Sequence, residues 1–205
     1  MTAADTMALL DWKRRVFALY ESVRTMEPEE GWKLWRETRD ELFRSHPQSP
    51  LLPEARAGFE GLEFWPYDPE ARVLAELEDV EAQPQPIETS GVEPMLFRPF
   101  ARAWFELRGE RLSLEVEWLE GYGGGVFLPF RDATSGKESY GGGRYVLDTV
   151  KGADLGGDAR TDRLVLDLNF AYNPSCAYDE RWSCPLSPLE NRLPFAIDAG
   201  ERMPR

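Results

Sequence analysis

The chain of 205 residues has a single histidine and two cysteines, and its 24 Lys and Arg are outnumbered by 37 Asp and Glu. The formal net charge of −13 argues against nucleic acid as a partner, because proteins that bind polyanions use clustered Lys and Arg to displace counterions. The acidic excess is local, since residues 51–100 contain eleven Asp and Glu against three Arg. This block predicts a solubilising face, with an interaction surface for a basic partner as the alternative.

Long apolar runs are missing as well. No stretch reaches the roughly eighteen apolar residues of a membrane span, and the first residues lack the basic and apolar regions of a signal peptide. We therefore expect a soluble, cytoplasmic protein without membrane association. Because the cytoplasm is reducing, Cys176 and Cys184 are expected as thiols unless their surroundings protect a disulfide.

Cysteine and histidine are too few for the common metal and nucleophilic sites. Seven residues separate Cys176 from Cys184, which is wider than the spacing of two to four typical of zinc knuckles. His46 precedes Pro47 at the expected end of a helix, where capping is its usual role. The sequence therefore predicts no metal site and no cofactor, and it leaves the cysteines as buried thiols or as a disulfide.

Two amphipathic helices are predicted in the first part of the chain. Apolar residues within 6–26 recur at spacings of three, four and seven, which places them on one helical face. A second helix is expected from about 28 to 45, because a proline and two glutamates suit its start and Pro47 ends it. We predict a helical appendage in residues 1–46 and a β-rich domain in 47–205, together one structural unit.

From about residue 60 the apolar period changes to two. Residues 111–118 put four apolar side chains on one face of a strand, and the run before them joins through Gly109-Glu110, which permits a two-residue type II′ hairpin. Further strands are predicted near 61–66, 71–79, 84–89, 94–98, 125–130, 143–150, 163–170 and 194–198. No helix-length crossover separates them. The prediction is a mainly β fold with N-terminal α, an antiparallel barrel or sandwich of about 8–10 strands preceded by two amphipathic helices.

Two glycine triplets, 123–125 and 141–143, bracket a polar segment. Glycine lets the backbone approach a ligand closely, and successive N–H groups can bind an anion. The segment departs from the phosphate-loop and dinucleotide patterns, because Glu138 and Val126 stand where those patterns need a hydroxyl residue and a glycine. A wide hairpin and a small-molecule pocket are the two interpretations. The pocket would use Arg131, Thr134, Ser135 and Arg144.

Asp132 precedes Thr134-Ser135-Gly136, a pattern typical of an Asx turn in which the carboxylate accepts backbone hydrogen bonds. An acid or base acting on a ligand is the alternative role. Further along, residues 169–191 combine a strand end with asparagines, tyrosines and prolines. Their polar groups either brace the loop itself or form a pocket wall beside Arg131 and Arg144. The side chains concerned are Asn169, Tyr172, Asn173, Tyr178, Glu190 and Asn191.

Together these motifs resemble a known family. The matching pieces are F-x-D-A-T-S-G-K-E-S-Y-G-G-G-R-Y at 130–145, N-F-A-Y-N-P-S-C-A-Y at 169–178 and C-P-L-S-P-L-E-N-R-L at 184–193. They are similar to the bacterial and archaeal family of unknown function sixteen-eighty-four, over about residues 28–202. That family has no established activity, so the resemblance implies a set of motif positions and no catalytic role. The positions are Arg131, Asp132, Thr134, Ser135, Gly136, Tyr140, Arg144, Tyr145, Asn173, Cys176, Tyr178, Cys184, Glu190 and Asn191.

The sequence as a whole favours a β domain that binds a small polar ligand, with an anion as one option. The predicted ligand-binding residues are Arg131, Asp132, Thr134, Ser135, Tyr140, Arg144, Tyr145, Asn173, Cys176, Tyr178, Glu190 and Asn191. An enzyme, hydrolase-type or thiol-dependent, using Asp132 or Cys176 in the same cleft is the second hypothesis. A protein-interaction module using the acidic 51–100 surface and the helical pair is the third. The sequence does not indicate an oligomeric state.

Overall fold

The computed structural model describes residues 2–204. Its helices are α1 (Ala3–Val23), α2 (Pro28–Ser45) and the short α3 (Pro53–Arg56). α1 begins with a capping box, in which the Thr2 side chain accepts from the Asp5 N–H and the Asp5 carboxylate accepts from the Thr2 N–H. Pro28 occupies the first turn of α2. None of the described helices combines the length and apolar character that crossing a bilayer requires.

Eight strands form one sheet. They are β1 (Arg72–Asp79), β2 (Gln85–Ile87), β3 (Met95–Leu107), β4 (Glu110–Leu119), β5 (Val126–Phe130), β6 (Arg144–Asp148), β7 (Gly157–Asp158) and β8 (Arg163–Asp167). The spatial order is β6-β5-β4-β3-β1-β8-β7, and β2 pairs with one end of β3. Every pair is antiparallel, and the sheet forms a half-barrel. The predicted antiparallel β fold preceded by two helices is therefore confirmed.

Several of the predicted strand segments are shorter than expected or absent, and β2 and β6 are the remnants of the predicted 84–89 and 143–150. In 61–66 the pairing is a single bridge from Phe64 to Glu201, and 194–198 forms no strand. Strand β8 stops at Asp167, because that carboxylate accepts from the Asn169 N–H and turns the chain into a 3-10 helix. At the end of β8 the hydrogen bond to the Asp167 side chain thus competes with the hydrogen bonds between strands.

The hairpin between β3 and β4 differs from the predicted one by a residue. Leu107 pairs with Glu110, so the two turn residues are Arg108 and Gly109. Their φ angles are 53° and 78°, and two positive values define a type I′ turn rather than the predicted type II′ turn. The prediction of Gly109-Glu110 as the turn was wrong. The twist of a type I′ turn matches the twist of the strands it joins.

A β-bulge in β3 divides this long strand between two apolar cores. The register moves from Pro99 opposite Glu117 to Ala101 opposite Val116, which leaves Phe100 as the extra residue. Side chains before the bulge, such as Phe97, pack against the helices, whereas those after it lie inside the half-barrel. The bulge thus gives the sheet a helix-covered face next to its inner core.

The helices pack on the sheet mainly through α2. The Trp35 side chain is 1% exposed, and the Trp32 indole donates to the Asn169 carbonyl at 3.0 Å. From α1, Leu19, Tyr20 and Val23 are buried in the same core. This helix–sheet junction contains the cavity described below.

Candidate functional site

Asp132 and Arg144, both predicted to bind ligand, are paired with each other in the protein interior. Arg144 Nη2 lies 2.7 Å from Asp132 Oδ2, and both side chains are at most 1% exposed. The guanidinium also donates to carbonyls of the 197–201 segment and lies over the rings of Trp65 and Phe130, 5.1 Å from each centroid. Burial lowers the pKa of Arg144, and Asp132 opposes that effect. The pair is a structural element of the core.

The other hydrogen bonds of Asp132 and of its neighbours lie within the segment between the two glycine triplets. Asp132 Oδ1 accepts from the Thr134 N–H at 2.7 Å, which confirms the Asx turn. The Thr134 hydroxyl lies 2.7 Å from the Ser139 hydroxyl, and Ser135 Oγ accepts from the Asp132 N–H. Gly136, with φ of 81°, donates to the Ser139 carbonyl. The side chains of Thr134 and Ser135 therefore stabilise the conformation of this loop.

Several polar residues of 169–191 brace the backbone. Asn191 Oδ1 accepts from the Glu115 N–H at 2.7 Å, and its Nδ2 donates to the carbonyls of Glu115 and Pro129. Asn169 Oδ1 likewise accepts from the Asp68 N–H, and its Nδ2 donates to the Asp68 carbonyl. Tyr145 is fully buried and donates to the Pro185 carbonyl. Asn169 and Asn191 thus brace the backbone, as one interpretation predicted, but that backbone belongs to residue 68 and to strands β4 and β5 and not to the 169–191 loop itself.

The other predicted residues are placed separately. Arg131 has a buried Nε without a hydrogen-bond partner among residues 2–204, and Glu190 is exposed. Tyr140 OH lies 3.5 Å from Cys176 Sγ, which brings two predicted residues together. The structure thus distributes the predicted set over an interior ion pair, a braced loop and a thiol cluster.

A cavity of about 70 Å³ lies where α1 and α2 meet the 172–175 segment. Apolar and aromatic side chains form most of its wall: Trp12, Val16, Leu19, Tyr20, Trp35, Leu42, Phe43, Ala153 and Tyr172. Four residues with polar or charged ends join them, namely Arg39, Lys151, Asn173 and Ser175. Such a wall, apolar with a few polar groups, is typical of small-molecule sites.

The charges at this cavity are paired. Arg39 Nη2 lies 2.8 Å from Glu201 Oε2, and Glu201 also accepts from the Asn173 N–H at 3.0 Å. Burial raises the pKa of Glu201, and Arg39 opposes that rise. The Lys151 ammonium lies 3.5 Å from Asp148 Oδ2. Each cation in the wall therefore has its own carboxylate.

Two polar atoms of the wall are buried without a hydrogen-bond partner in the described part of the chain. They are Arg39 Nε, a donor, and Asn173 Oδ1, an acceptor. The Asn173 amide is oriented by its Nδ2, which donates to the Arg202 carbonyl at 2.7 Å. An unsatisfied buried polar group costs about 1–3 kcal/mol, so each of these two atoms destabilises the folded state while it lacks a partner.

A second cavity, of about 240 Å³, has no lining residue in common with the first. It is lined by Tyr178, Glu201 and Arg202 together with residues of 51–63. The Tyr178 hydroxyl is also buried without a partner among the residues described. Because Arg39 lines one cavity and its partner Glu201 the other, their ion pair joins the two walls.

The contribution of the helices to this site was missed in the sequence. Arg39 lies in the apolar stripe of α2, seven residues after Trp32 and four after Trp35, and its guanidinium is 4.9 Å from the Trp35 ring centroid. A charged residue at a stripe position was the available signal. Glu201 is not among the predicted motif positions, although it lies within the 28–202 span of the family resemblance.

The similarities to other proteins agree with this architecture. The family model described as "Protein of unknown function (DUF1684)" matches residues 57–202. The solution NMR structure of an uncharacterized protein from Haloarcula marismortui is 36% identical, covers 85% of this chain and 93% of its own, and has a TM-score of 0.61. No curated protein matches the chain. Both similarities concern proteins without an assigned activity.

Proposed function

The chain belongs to the DUF1684 family of proteins of unknown function, and we propose that this member binds a small, uncharged molecule in the cavity between the helical pair and the sheet. One observation carries the proposal. In an otherwise apolar wall, a donor on Arg39 and an acceptor on Asn173 are buried and unsatisfied. A ligand that carries both an acceptor and a donor, such as a hydroxyl or a primary amide, offers the kind of partner that each atom lacks.

The paired charges favour an uncharged ligand. Arg39 is already neutralised by Glu201, and Lys151 by Asp148. An anion entering the cavity would lose its hydration without gaining a free counter-charge, and transfer of an unpaired charge from water is strongly unfavourable. This consideration replaces the anionic option of the sequence-based hypothesis with a neutral polar head group.

The volume limits the size of the ligand. About 70 Å³ is roughly half of the 150 Å³ of an engineered protein cavity that binds benzene. A short aliphatic chain fits this space, whereas a ring requires α1 to move outwards. The second cavity of about 240 Å³ is where a larger polar portion would lie, near the free Tyr178 hydroxyl.

Two predicted ligand-binding residues, Asn173 and Tyr178, keep that role in the proposal. Arg144 and Asp132 have a weaker claim to one, because their polar groups are engaged within the protein. The same engagement argues against Asp132 as the acid or base of a hydrolase-type enzyme, since a catalytic carboxyl must reach the substrate proton.

Binding of butyramide, a four-carbon primary amide, tests the proposal. Its isosteric anion butyrate has the same chain and one carboxylate in place of the amide. The indole N–H of Trp35 is the readout in NMR spectra, because this side chain lines the cavity and donates to Tyr20 OH beside it. We expect a saturable shift with butyramide and affinity for butyrate lower by about tenfold or more, which is about 1.4 kcal/mol.

A matched pair of variants separates the cavity from other binding. Val16→Phe fills the cavity from α1 and is expected to abolish the Trp35 response, whereas Ala18→Phe, on the exposed side of the same helix, leaves it intact. Tighter binding of butyrate than of butyramide would show that the head group is wrongly assigned. An unsaturable Trp35 response to both probes in the folded protein would reject the proposal.

A further inference from the structure

The two cysteines lie close together, although they belong to different segments of the chain. The side chains of Cys176 and Cys184 interact with each other, and Tyr140 OH lies 3.5 Å from the Cys176 sulfur. Both cysteines are free thiols, Cys176 partly exposed and Cys184 buried. A partly exposed thiol next to a buried one is the arrangement of an attacking and a resolving cysteine.

The backbone around Cys184 is held in place. Its N–H donates to Ser90 Oγ at 3.0 Å, and the Ser90 N–H donates to the Cys184 carbonyl at 2.9 Å. Cys176 lies in the 3-10 helix Ser175–Ala177, which packs next to Tyr140. Since Ser90 follows β2 and is far from both cysteines in sequence, the fold itself sets the approach of the two sulfurs.

The proton between the two sulfurs is unequally shared. The hydrogen bond from Cys184 lowers the pKa of Cys176 to about 6, helped by Ser90 and Tyr140 and opposed by burial. The same hydrogen bond, together with burial, raises the pKa of Cys184. The directions of the two shifts, together with the greater exposure of Cys176, favour Cys176 as the thiolate of the pair. A thiolate, and not a thiol, is the nucleophile toward oxidants.

We propose that Cys176 and Cys184 are a dithiol site that a peroxide oxidises to an intrachain disulfide. The Cys176 thiolate attacks one oxygen of hydrogen peroxide, the O–O bond breaks, and protonation of the leaving hydroxide gives water and a sulfenic acid. The Cys184 sulfur then attacks Cys176 sulfur, the S–O bond breaks, and the thiol proton leaves with the hydroxyl as a second water. Two thiols and one peroxide thus yield one disulfide and two waters.

The product is compatible with the place of the cysteines in the chain. The disulfide closes a loop of nine residues, 176–184, and this loop is already folded back on Ser90. Closing this loop removes conformational entropy from the unfolded chain. The oxidised protein is therefore expected to be the more stable form against unfolding.

Intact-mass spectrometry of the full chain tests this site. The reduced protein is treated with hydrogen peroxide, quenched with N-ethylmaleimide under denaturing conditions and weighed. We expect a loss of two hydrogens, loss of both alkylatable thiols and a 176–184 cross-link within one chain, with a rate that falls as the pH is lowered through about 6. If both thiols stay alkylatable, or if only chain-to-chain dimers form, the proposal is overturned.

Single substitutions assign the two roles. Cys184→Ser is expected to stop at the sulfenic acid, which dimedone traps at Cys176, and Cys176→Ser to slow peroxide consumption at least tenfold. Tyr140→Phe retains both sulfurs and removes one hydrogen bond to Cys176, so it gives a slower reaction with an unchanged product even if a serine variant does not fold. Equal rates for wild type, Cys176→Ser and Tyr140→Phe would overturn the assignment of Cys176 as the attacking residue.

Discussion

At the scale of single residues, Glu117 stands out because its side chain is fully buried in β4 and both carboxylate oxygens lack hydrogen-bond partners among residues 2–204. Burial, with repulsion from Glu115 and Glu190, raises its pKa from 4.5 to about 7. Between these two pH values the folded protein holds a proton that the unfolded chain has released. Stability is therefore highest below the unfolded pKa and falls as the pH rises toward 7.

Glu117→Gln removes this pH dependence while keeping the shape of the side chain. We expect the stability of the variant relative to wild type to increase by on the order of 3 kcal/mol between pH 5 and pH 8, because only the wild type must ionise a buried group. Urea unfolding at both pH values measures the difference. Glu106→Gln, at an exposed position of β3, is the control and should follow the wild-type profile. Parallel profiles for Glu117→Gln and wild type would refute the assignment.

The Asp132–Arg144 pair shows why a conspicuous residue need not contact a ligand. Removing one partner of a buried ion pair typically costs about 3–5 kcal/mol, since the other charge is left uncompensated. The Arg144→Ala variant is therefore expected to lose folding stability, and this loss would obscure any effect on ligand binding. Residues of the cavity wall that carry no buried charge, such as Val16, are better probes of ligand binding.

At the scale of elements, the β3–β4 hairpin depends on a turn that few residues tolerate. Arg108 and Gly109 both have positive φ, which costs a residue with a side chain about 1–2 kcal/mol. Arg108 has compensating contacts, since its guanidinium donates to the Ala196 carbonyl and lies near Asp68. Glycine at 109 avoids the conformational cost altogether.

Gly109→Ala is therefore expected to destabilise the protein by about 1 kcal/mol. A Cβ at this position would meet no atom within 4 Å, so the cost is conformational and not steric. Gly58→Ala is the matched control, because a Cβ there also meets nothing within 4 Å and the backbone is outside the left-handed region. That control should be neutral or gain about 0.5 kcal/mol. Thermal unfolding distinguishes the two, and equal shifts would contradict this account of the turn.

At the scale of the whole molecule, the two long helices are attached unequally. The buried residues of α1 all lie in its last five positions, Leu19 to Val23, whereas α2 has buried residues from Gly31 to Phe43. α1 also exposes Met7, Leu10 and Phe17. Exposed apolar groups on the helices are what the interaction-module hypothesis requires, and that hypothesis stays a prediction.

Hydrogen exchange is expected to reflect this difference. The amides of residues 6–14 in α1 should exchange at least tenfold faster than those of residues 32–43 in α2, which corresponds to an opening free energy lower by about 1.4 kcal/mol. Exchange measured by NMR in the folded protein provides the comparison. Because Trp12 and Val16 line the cavity, local opening of α1 would also give a ligand its route of entry. Equal protection of the two helices would count against both statements.

The sequence by itself determined the class of fold. The period of α2, the alternation in β4 and the Asx pattern at Asp132 depend on residues a few positions apart, and local backbone geometry makes such patterns readable. The exact turn at Arg108 and the bulge at Phe100 were not predicted, because register is decided between strands and not within one.

Only the tertiary structure brings together the residues from which the two sites are proposed. Arg39 and Glu201 are 162 positions apart, and Asn173 joins them through a backbone hydrogen bond, so no local pattern relates the three. The same holds for burial, which converted Asp132 and Arg144 from predicted ligand-binding groups into an interior ion pair. Composition lists the side chains that carry charge, but which charges meet each other and which stay unsatisfied depends on long-range packing.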